Sequence, residues 1–299
     1  MFGKRCDGTR LKGIDPMVQF TPYIMPHRYD AMVETRVDLD FDSMTRYIRD
    51  QRKLGNYVTH MGIIIAALVR VCSQNPQMNR FVVGKKLFAR NQFCISFVTL
   101  KKTDNGSVEE SLCKVQFDLK DTIFDVSQRL AQAIEEGRKV EEKNATDKLA
   151  GALLKIPGLP SLIVCLARHL DNHGLMPKFI HEASPFHTSL FISNMASIGM
   201  NYVFHRIYDF GTTSVFLTMG KTEQKISVNS DGTCRSKRIM PMGAVIDERI
   251  ASGETYAFMF SEMAKYLMDP KLLETPPEKI VTETEFLPVP PARRDGESR

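Results

Sequence analysis

Between Ile239 and Pro270 the hydrophobic period of the chain changes once, from that of a strand to that of a helix, so a fold that is all helix or all strand is excluded. Ile239 to Ile246 is an apolar run of strand length. Glu254 to Met268 instead carries Tyr256, Met259, Phe260, Met263, Ala264 and Leu267 three and four residues apart, the spacing of one helix face. A strand therefore feeds a helix through the connection Asp247–Gly253, and Asp269-Pro270 ends that helix because proline cannot continue it. The same two periods recur upstream. Met32 to Leu39 alternates Val33, Val37 and Leu39, expected inward, with Glu34, Arg36 and Asp38, expected outward. Phe41-Asp42-Ser43 can cap a helix to about Leu54, with Gly55-Asn56 as its stop. An apolar helix is predicted over Thr59 to Ser73, and strands over Phe81 to Val83, Leu87 to Phe88, Cys94 to Leu100 and Glu110 to Leu119. Asp104-Asn105-Gly106 has hairpin chemistry, and Asp121 to Glu142 reads as a helix with Ile123, Val126, Leu130 and Ile134 on one face. Further strands are expected near Ser214 to Met219 and Lys225 to Val228, with a turn at Asp231-Gly232. Strands and helices mix without strict alternation, which argues against a doubly wound parallel sheet and for a mixed α/β fold.

A chain of 299 residues that is 43% hydrophobic can bury a substantial core, and no internal linker divides it. From Glu274 onward apolar residues thin out and prolines and charges accumulate, so the tail is expected to be mostly disordered, with a flexible segment at 278–299. The start Met1-Phe2-Gly3-Lys4-Arg5 leads into no secretory apolar region, and no apolar stretch reaches the roughly 20 residues that a membrane-spanning helix needs. A cytoplasmic location is expected. Cys6, Cys72, Cys94, Cys113, Cys165 and Cys234 lack metal or redox spacing and read as reduced thiols. The net charge of +5 is too small and too interleaved to suggest a nucleic-acid partner. Residues 149–184 carry apolar stretches broken by Pro157 and Pro160, and are expected to pack in the core or against a neighbouring subunit rather than on a membrane. His169 and His173 share a helix face at metal-ligand spacing, but no carboxylate or cysteine is placed to complete a set, so no metal is expected.

Three segments, in order, resemble one family. Asp247-Glu248-Arg249-Ile250-Ala251-Ser252-Gly253 is similar to the D-H-R-x-x-D-G motif of the acyltransferase catalytic domains of 2-oxo acid dehydrogenase complexes, found in shorter form in chloramphenicol acetyltransferase. Phe191-Ile192-Ser193-Asn194-Met195-Ala196-Ser197-Ile198-Gly199 resembles the family's F-T-I-S-N-x-G-x-x-G segment, and Thr59 to Asn79 its apolar helix ending in P-x-x-N. The resemblance implies a two-layer α/β sandwich of the chloramphenicol acetyltransferase type, a mixed sheet with helices packed on one side. On this basis residues 1–20 are expected to form an N-terminal arm and 21–277 the acyltransferase-like domain, with 149–184 a divergent insertion. It also implies a homotrimer, with the oxyanion hydroxyl and the catalytic base contributed by different subunits. Coenzyme A, as an acyl-CoA, would be co-substrate. No lipoyl domain is expected with this chain, so a separate acyl carrier or lipoyl protein would be the partner of any role in a dehydrogenase complex.

Two working residues of the motif are exchanged. Acyl transfer needs a base for the incoming thiol, amine or hydroxyl, and donors for the oxyanion. Ser193 takes the place of the oxyanion hydroxyl. Glu248 stands where the family has its catalytic His, and Ser252 where it has Asp. An ordinary carboxylate faces a thiol across about 4 pKa units, roughly 6 kcal/mol, against about 3 kcal/mol for an imidazole. Glu248 is therefore either an altered base, or a structural carboxylate paired with Arg249 or a neighbouring subunit, or a bystander to another base. His205 is the leading substitute base and His187 a weaker one. Asn194, Asp247, Arg249 and Gly253 complete the set that the resemblance assigns to substrate and cofactor binding. A catalytically inactive trimeric scaffold, or a CoA- or partner-binding protein, is the alternative.

Overall fold

The computed structural model describes residues 5–12, 14–102, 108–139, 154–228 and 231–283. Asp104-Asn105-Gly106, residues 140–142 of the Asp121–Glu142 helix, residues 149–153 of the insertion and 284–299 of the tail lie outside them.

The large sheet contains β2 (Met32–Asp40), β5 (Phe93–Lys102), β6 (Val108–Phe117), β7 (Leu190–Asn194), β8 (Val215–Met219), β9 (Glu223–Val228) and β10 (Cys234–Asp247). Its order is β2-β10-β8-β7-β5-β6, with β9 also paired to β10. β7 runs parallel to β5 and β8, and the other pairings are antiparallel, so the sheet is mixed. A smaller sheet joins β1 (Gly8–Arg10), β4 (Lys86–Arg90) and β3 (Arg80–Val83).

One face of the large sheet packs on helices. Ile95, Phe97, Leu190, Ile192, Val215, Leu217, Met242, Ala244 and Ile246 belong to one buried cluster with α3 (His60–Gln74). Every residue of α3 from Gly62 to Ser73 is buried. Each fully buried Ile or Leu there contributes about 1.5–3 kcal/mol. α2 (Phe41–Lys53), α4 (Ile123–Lys139) and α7 (Gly253–Met268) pack around it, and the periodic residues Tyr256, Met259, Met263 and Leu267 are buried as their spacing predicts. The opposite face carries a second cluster of Phe191, Phe216 and Val245, against which Ile207 folds. The segment around Val203 crosses this face so closely that a Cβ on Gly243 would lie 2.6 Å from the Val203 carbonyl. This is the fold that the resemblance implies.

Several expectations need correction. Asp40, not the Phe41–Ser43 run, caps α2, its carboxylate accepting from the Ser43 N–H at 2.9 Å. Val33 is 39% exposed, because β2 is an edge strand and a core-side residue there still meets solvent laterally. β10 begins at Cys234, five residues before the apolar run, where its exposed polar half pairs with β9. Of the described part of the 149–184 segment, most apolar side chains stay outside the core of this chain, although Met176 is buried. α5 (Leu159–His173) leaves Leu162 64% and Leu166 56% exposed. The tail is not loose from Glu274. The Glu274 carboxylate accepts from Tyr47 Oη at 2.9 Å and Gln51 Nε2 at 2.8 Å, Val281 N–H donates to Ser73 O at 2.8 Å, and Glu283 clasps Arg80 at 2.6 Å. These contacts carry ordered structure past residue 278. The N-terminal arm also has structure, since β1 joins β4 and α1 (Pro16–Ile24) runs across the boundary drawn at residue 20.

Candidate active site

β10 leaves the sheet through a turn that is locked from beneath. The Asp247 side chain is fully buried and takes a bidentate pair from Arg249, Nε at 2.8 Å and Nη2 at 2.7 Å. Its Oδ1 also accepts the Arg249 backbone N–H at 3.1 Å, and Arg28 Nε faces it at 3.8 Å. Tyr256 of α7 donates to the Asp247 carbonyl at 3.2 Å. Arg249 Nη1 reaches the Met25 and Pro26 carbonyls at 3.3 and 3.4 Å. Asp247 and Arg249 thus hold the turn, and the pairing considered for Glu248 with Arg249 does not occur within the chain. With both neighbours anchored inward, Glu248 is forced outward: it is exposed, its N–H donates to Ala31 O at 2.9 Å, and its carboxylate has no partner among the described residues.

Ser252 caps α7. Its Oγ accepts from the Thr255 N–H at 3.3 Å and lies 2.9 Å from Thr255 Oγ1, while Gly253 is the first helical residue. Losing such a cap costs about 1 kcal/mol. Ser252→Ala should lower the urea unfolding free energy by about that much. Ser252→Asp should not lower it, since aspartate caps as well and favours a helix N-terminus.

Ser193 is half-buried near the end of β7, its hydroxyl 3.4 Å from Met195 Sδ. Asn194 turns its side-chain oxygen onto the Ser197 N–H at 3.2 Å and so shapes the turn Met195–Ile198. The sheet register separates Ser193 from Glu248. Ser193 pairs with Thr218 and Thr218 with Gly243, so Glu248 lies five residue positions further along β10. At about 3.3 Å per residue that is roughly 17 Å. Phe191, Phe216 and Val245 share an intermediate level, and the half-buried His205 ring stacks on Phe216 at 4.1 Å. Its Nδ1 is 2.8 Å from the Arg206 carbonyl. A protonated Nδ1 would leave Nε2 with the lone pair. His205 therefore stands about two positions, roughly 7 Å along the strands, from the Ser193 level.

Beside the turn a cavity of about 280 Å³ is lined by Arg28, Lys85, Arg168 and Arg249 together with Asp171 and Asp209. Burial lowers the Arg28 guanidinium, although Asp247 opposes that effect. His187, the weaker substitute base, precedes the first residue of β7 by three positions. It is buried, with Nδ1 2.8 Å from Ser184 Oγ and Nε2 3.5 Å from Asp171 Oδ2. His181 lies against it, the ring centroids 4.5 Å apart. Sequence reasoning missed the grouping of Asp171, His181 and His187, because Asp171 and the two histidines come from different elements and no spacing rule connects them.

Residues 182–275, a span that includes Ser193, His205 and the 247–253 turn, match the sequence model of the 2-oxoacid dehydrogenases acyltransferase (catalytic domain). No curated protein sequence matches the chain. Among solved structures, the cubic core of the pyruvate dehydrogenase multienzyme complex shares 13% identity at a TM-score of 0.55, over 88% of this chain and 94% of that one. A truncated catalytic core of the 2-oxoacid dehydrogenase multienzyme complex from Thermoplasma acidophilum shares 12% identity at 0.52, over 88% and 98% of the two chains. A chloramphenicol acetyltransferase shares 8% identity at 0.51, over 87% and 99%. By fold over most of its length, and by sequence over residues 182–275, the chain is similar to the acyltransferase catalytic domains of the 2-oxoacid dehydrogenases.

Proposed function

We propose that this chain transfers acyl groups between a coenzyme A thioester and a thiol, amine or hydroxyl acceptor, as a homotrimer whose reaction sites lie between subunits. The observation that carries this reading is the register. Ser193 and Glu248 sit five residue positions apart in one chain, roughly 17 Å, too far for both to touch one reacting carbonyl. An exposed carboxylate with no partner among the described residues fits a site completed by a neighbour. In that site the Ser193 hydroxyl donates to the oxyanion as the acceptor attacks the thioester carbonyl. Glu248 of the adjoining subunit takes the acceptor's proton, and the CoA thiolate leaves. His205 is the other candidate for the proton. Residues 21–277 would be the catalytic domain, and the exposed apolar face of α5, within 149–184, would pack against the neighbouring subunit.

Of the cations around the 280 Å³ cavity, Arg28 and Arg249 are committed to Asp247 and Arg168 pairs with Asp209 at 3.0 Å, so Lys85 is the lining cation that an anionic co-substrate such as CoA would meet first. A separate lipoyl or acyl-carrier protein would present the acceptor. No helix among the described residues is long and apolar enough to cross a membrane, in keeping with a cytoplasmic role.

Light scattering should give a mass that is a multiple of three chains, and acetyl-CoA incubated with a small dithiol should release free CoA. A stable monomer at micromolar concentration would remove the interfacial site. The second reading, a catalytically inactive trimeric scaffold, is favoured by the exchange of the motif's His for Glu248 and by the capping role of Ser252. A trimer without turnover would select it.

A further inference from the structure

The buried cluster beneath α5 is built like a metal site. Asp171 lies in the last turn of α5, His181 belongs to the short helix α6 (Lys178–Ala183), and His187 lies in the approach to β7. They are 6%, 4% and 3% exposed, and one ligand atom from each lies within 4.8 Å of the others. Asp171 Oδ1 takes an ion pair from Arg5 Nη2 at 2.8 Å, whereas His187 Nε2, on the side of Asp171, has no hydrogen-bond partner within normal distance among the described residues. An orphaned buried polar atom is costly, and an occupant among the three side chains would satisfy His187 Nε2.

We propose that Asp171, His181 and His187 bind a divalent transition-metal ion of the zinc type, with His181 and His187 ligating through Nε2. His187 Nε2 is 3.5 Å from Asp171 Oδ2, and His181 Nε2 is 3.6 Å from Asp171 Oδ1. Ligands about 2.0–2.1 Å from a tetrahedral zinc lie about 3.4 Å from one another, so small rotations suffice to close the set. The second ring nitrogens face separate groups, as they do in built zinc sites. His187 Nδ1 is 2.8 Å from Ser184 Oγ, and His181 Nδ1 is 3.6 Å from Asp7 Oδ2. Arg5 Nη2, 2.8 Å from Asp171 Oδ1, steadies the same carboxylate. Lys114 Nζ holds the His181 and Ser184 carbonyls at 2.6 and 3.2 Å, fixing the backbone that presents both histidines. An adjoining space of about 30 Å³, lined by His181, His187 and Asp7, has room for one water as a fourth ligand.

The rival account is an ion-pair cluster without a metal. Arg5 and Arg90 already balance Asp7 and Asp171, with Arg5 Nε 2.8 Å and Arg90 Nη1 3.9 Å from Asp7. In that account His187 Nε2 carries the proton and turns it toward Asp171 Oδ2, 3.5 Å away and at the limit of a hydrogen bond. A bound ion would instead tie residues 159–187 to the strand that carries Ser193, six positions after His187, so the site is tethering rather than catalytic in character.

The test uses the full chain, stripped with a chelator and titrated with Co²⁺, whose visible absorption reports tetrahedral coordination. About one Co²⁺ per chain should bind with a visible band that Zn²⁺ displaces. His187→Gln and His181→Gln should abolish the band. Ser184→Ala, which leaves every ligand in place, should weaken binding by roughly 10–100-fold. His169→Ala, in the exposed His169–His173 pair, should change nothing. Failure of the folded, unsubstituted chain to take up Co²⁺ or Zn²⁺ would establish the ion-pair cluster and overturn the proposal. So would binding that survives Ser184→Ala undiminished. Neither result depends on the histidine variants folding.

Discussion

Asp247→Asn should cost about 3–5 kcal/mol of unfolding free energy, because removing one partner of a buried ion pair strands the other. The Asp247 side chain is fully buried and faces two guanidiniums, Arg249 at 2.7 Å and Arg28 at 3.8 Å, whose own side chains are nearly inaccessible. The amide keeps the shape of the carboxylate but not its charge, so both cations would remain desolvated against a neutral group. Urea unfolding followed by circular dichroism gives the loss directly. A companion variant separates the charge from the packing. Asp247→Asn combined with Arg249→Met removes the stranded cation as well, and should recover part of the loss, since buried ion pairs are often replaceable by apolar residues of similar volume. A loss under about 1 kcal/mol for the single variant, the range of exposed pairs, would show that the turn is not locked through this carboxylate. The same lock bears on the chemistry. Glu248 points outward because its two neighbours are anchored inward, so loosening Asp247 should also blur the position of any carboxylate acting from this turn.

Legibility in the sequence followed the range of the forces involved. α7 could be read from Tyr256, Met259, Met263 and Leu267 because helix amphipathicity is local, and its end followed from Asp269-Pro270. α3 was equally legible. The first half of β10 was not, because Cys234 to Arg238 are exposed and polar and become a strand only through pairing with β9. The tail misled for the opposite reason. Its composition is that of a disordered segment, yet Glu274, Val281 and Glu283 meet Tyr47, Ser73 and Arg80, contacts that composition cannot register. At the candidate site, the motif located the turn, but not which member of Asp247-Glu248-Arg249 pairs with which. Residues two apart at a strand end share a side, so Asp247 meets Arg249 and Glu248 is left out. The histidines show the limit most plainly. His169 and His173 are adjacent on a helix and lie at the surface, whereas His181 and His187 meet Asp171 only after α5 and α6 have folded back toward β7.

Glu248→His combined with Ser252→Asp should raise the rate of acetyl transfer from acetyl-CoA to a small thiol by roughly 10²–10⁴-fold over the parent, the usual worth of a positioned general base. An imidazole narrows the proton-transfer gap to a thiol from about 4 pKa units to about 2. The substitutions suit their positions. Residue 248 is exposed, so the ring enters no packed core, and aspartate at 252 retains the cap on α7 that Ser252 now supplies. Ser193 would still provide the oxyanion donor, worth about 3 kcal/mol in comparable sites. His205→Ala in the parent is the necessary partner measurement. If it removes the parent's turnover while the trimer persists, the base has already migrated to the ring stacked on Phe216, and the double variant would add a second base rather than restore the first. If the double variant assembles as a trimer, binds CoA and transfers no faster than the parent, the obstacle lies beyond residues 248 and 252. The channel or the acceptor surface would then have diverged too, and the trimer would be better understood as a scaffold whose interfaces outlived its chemistry.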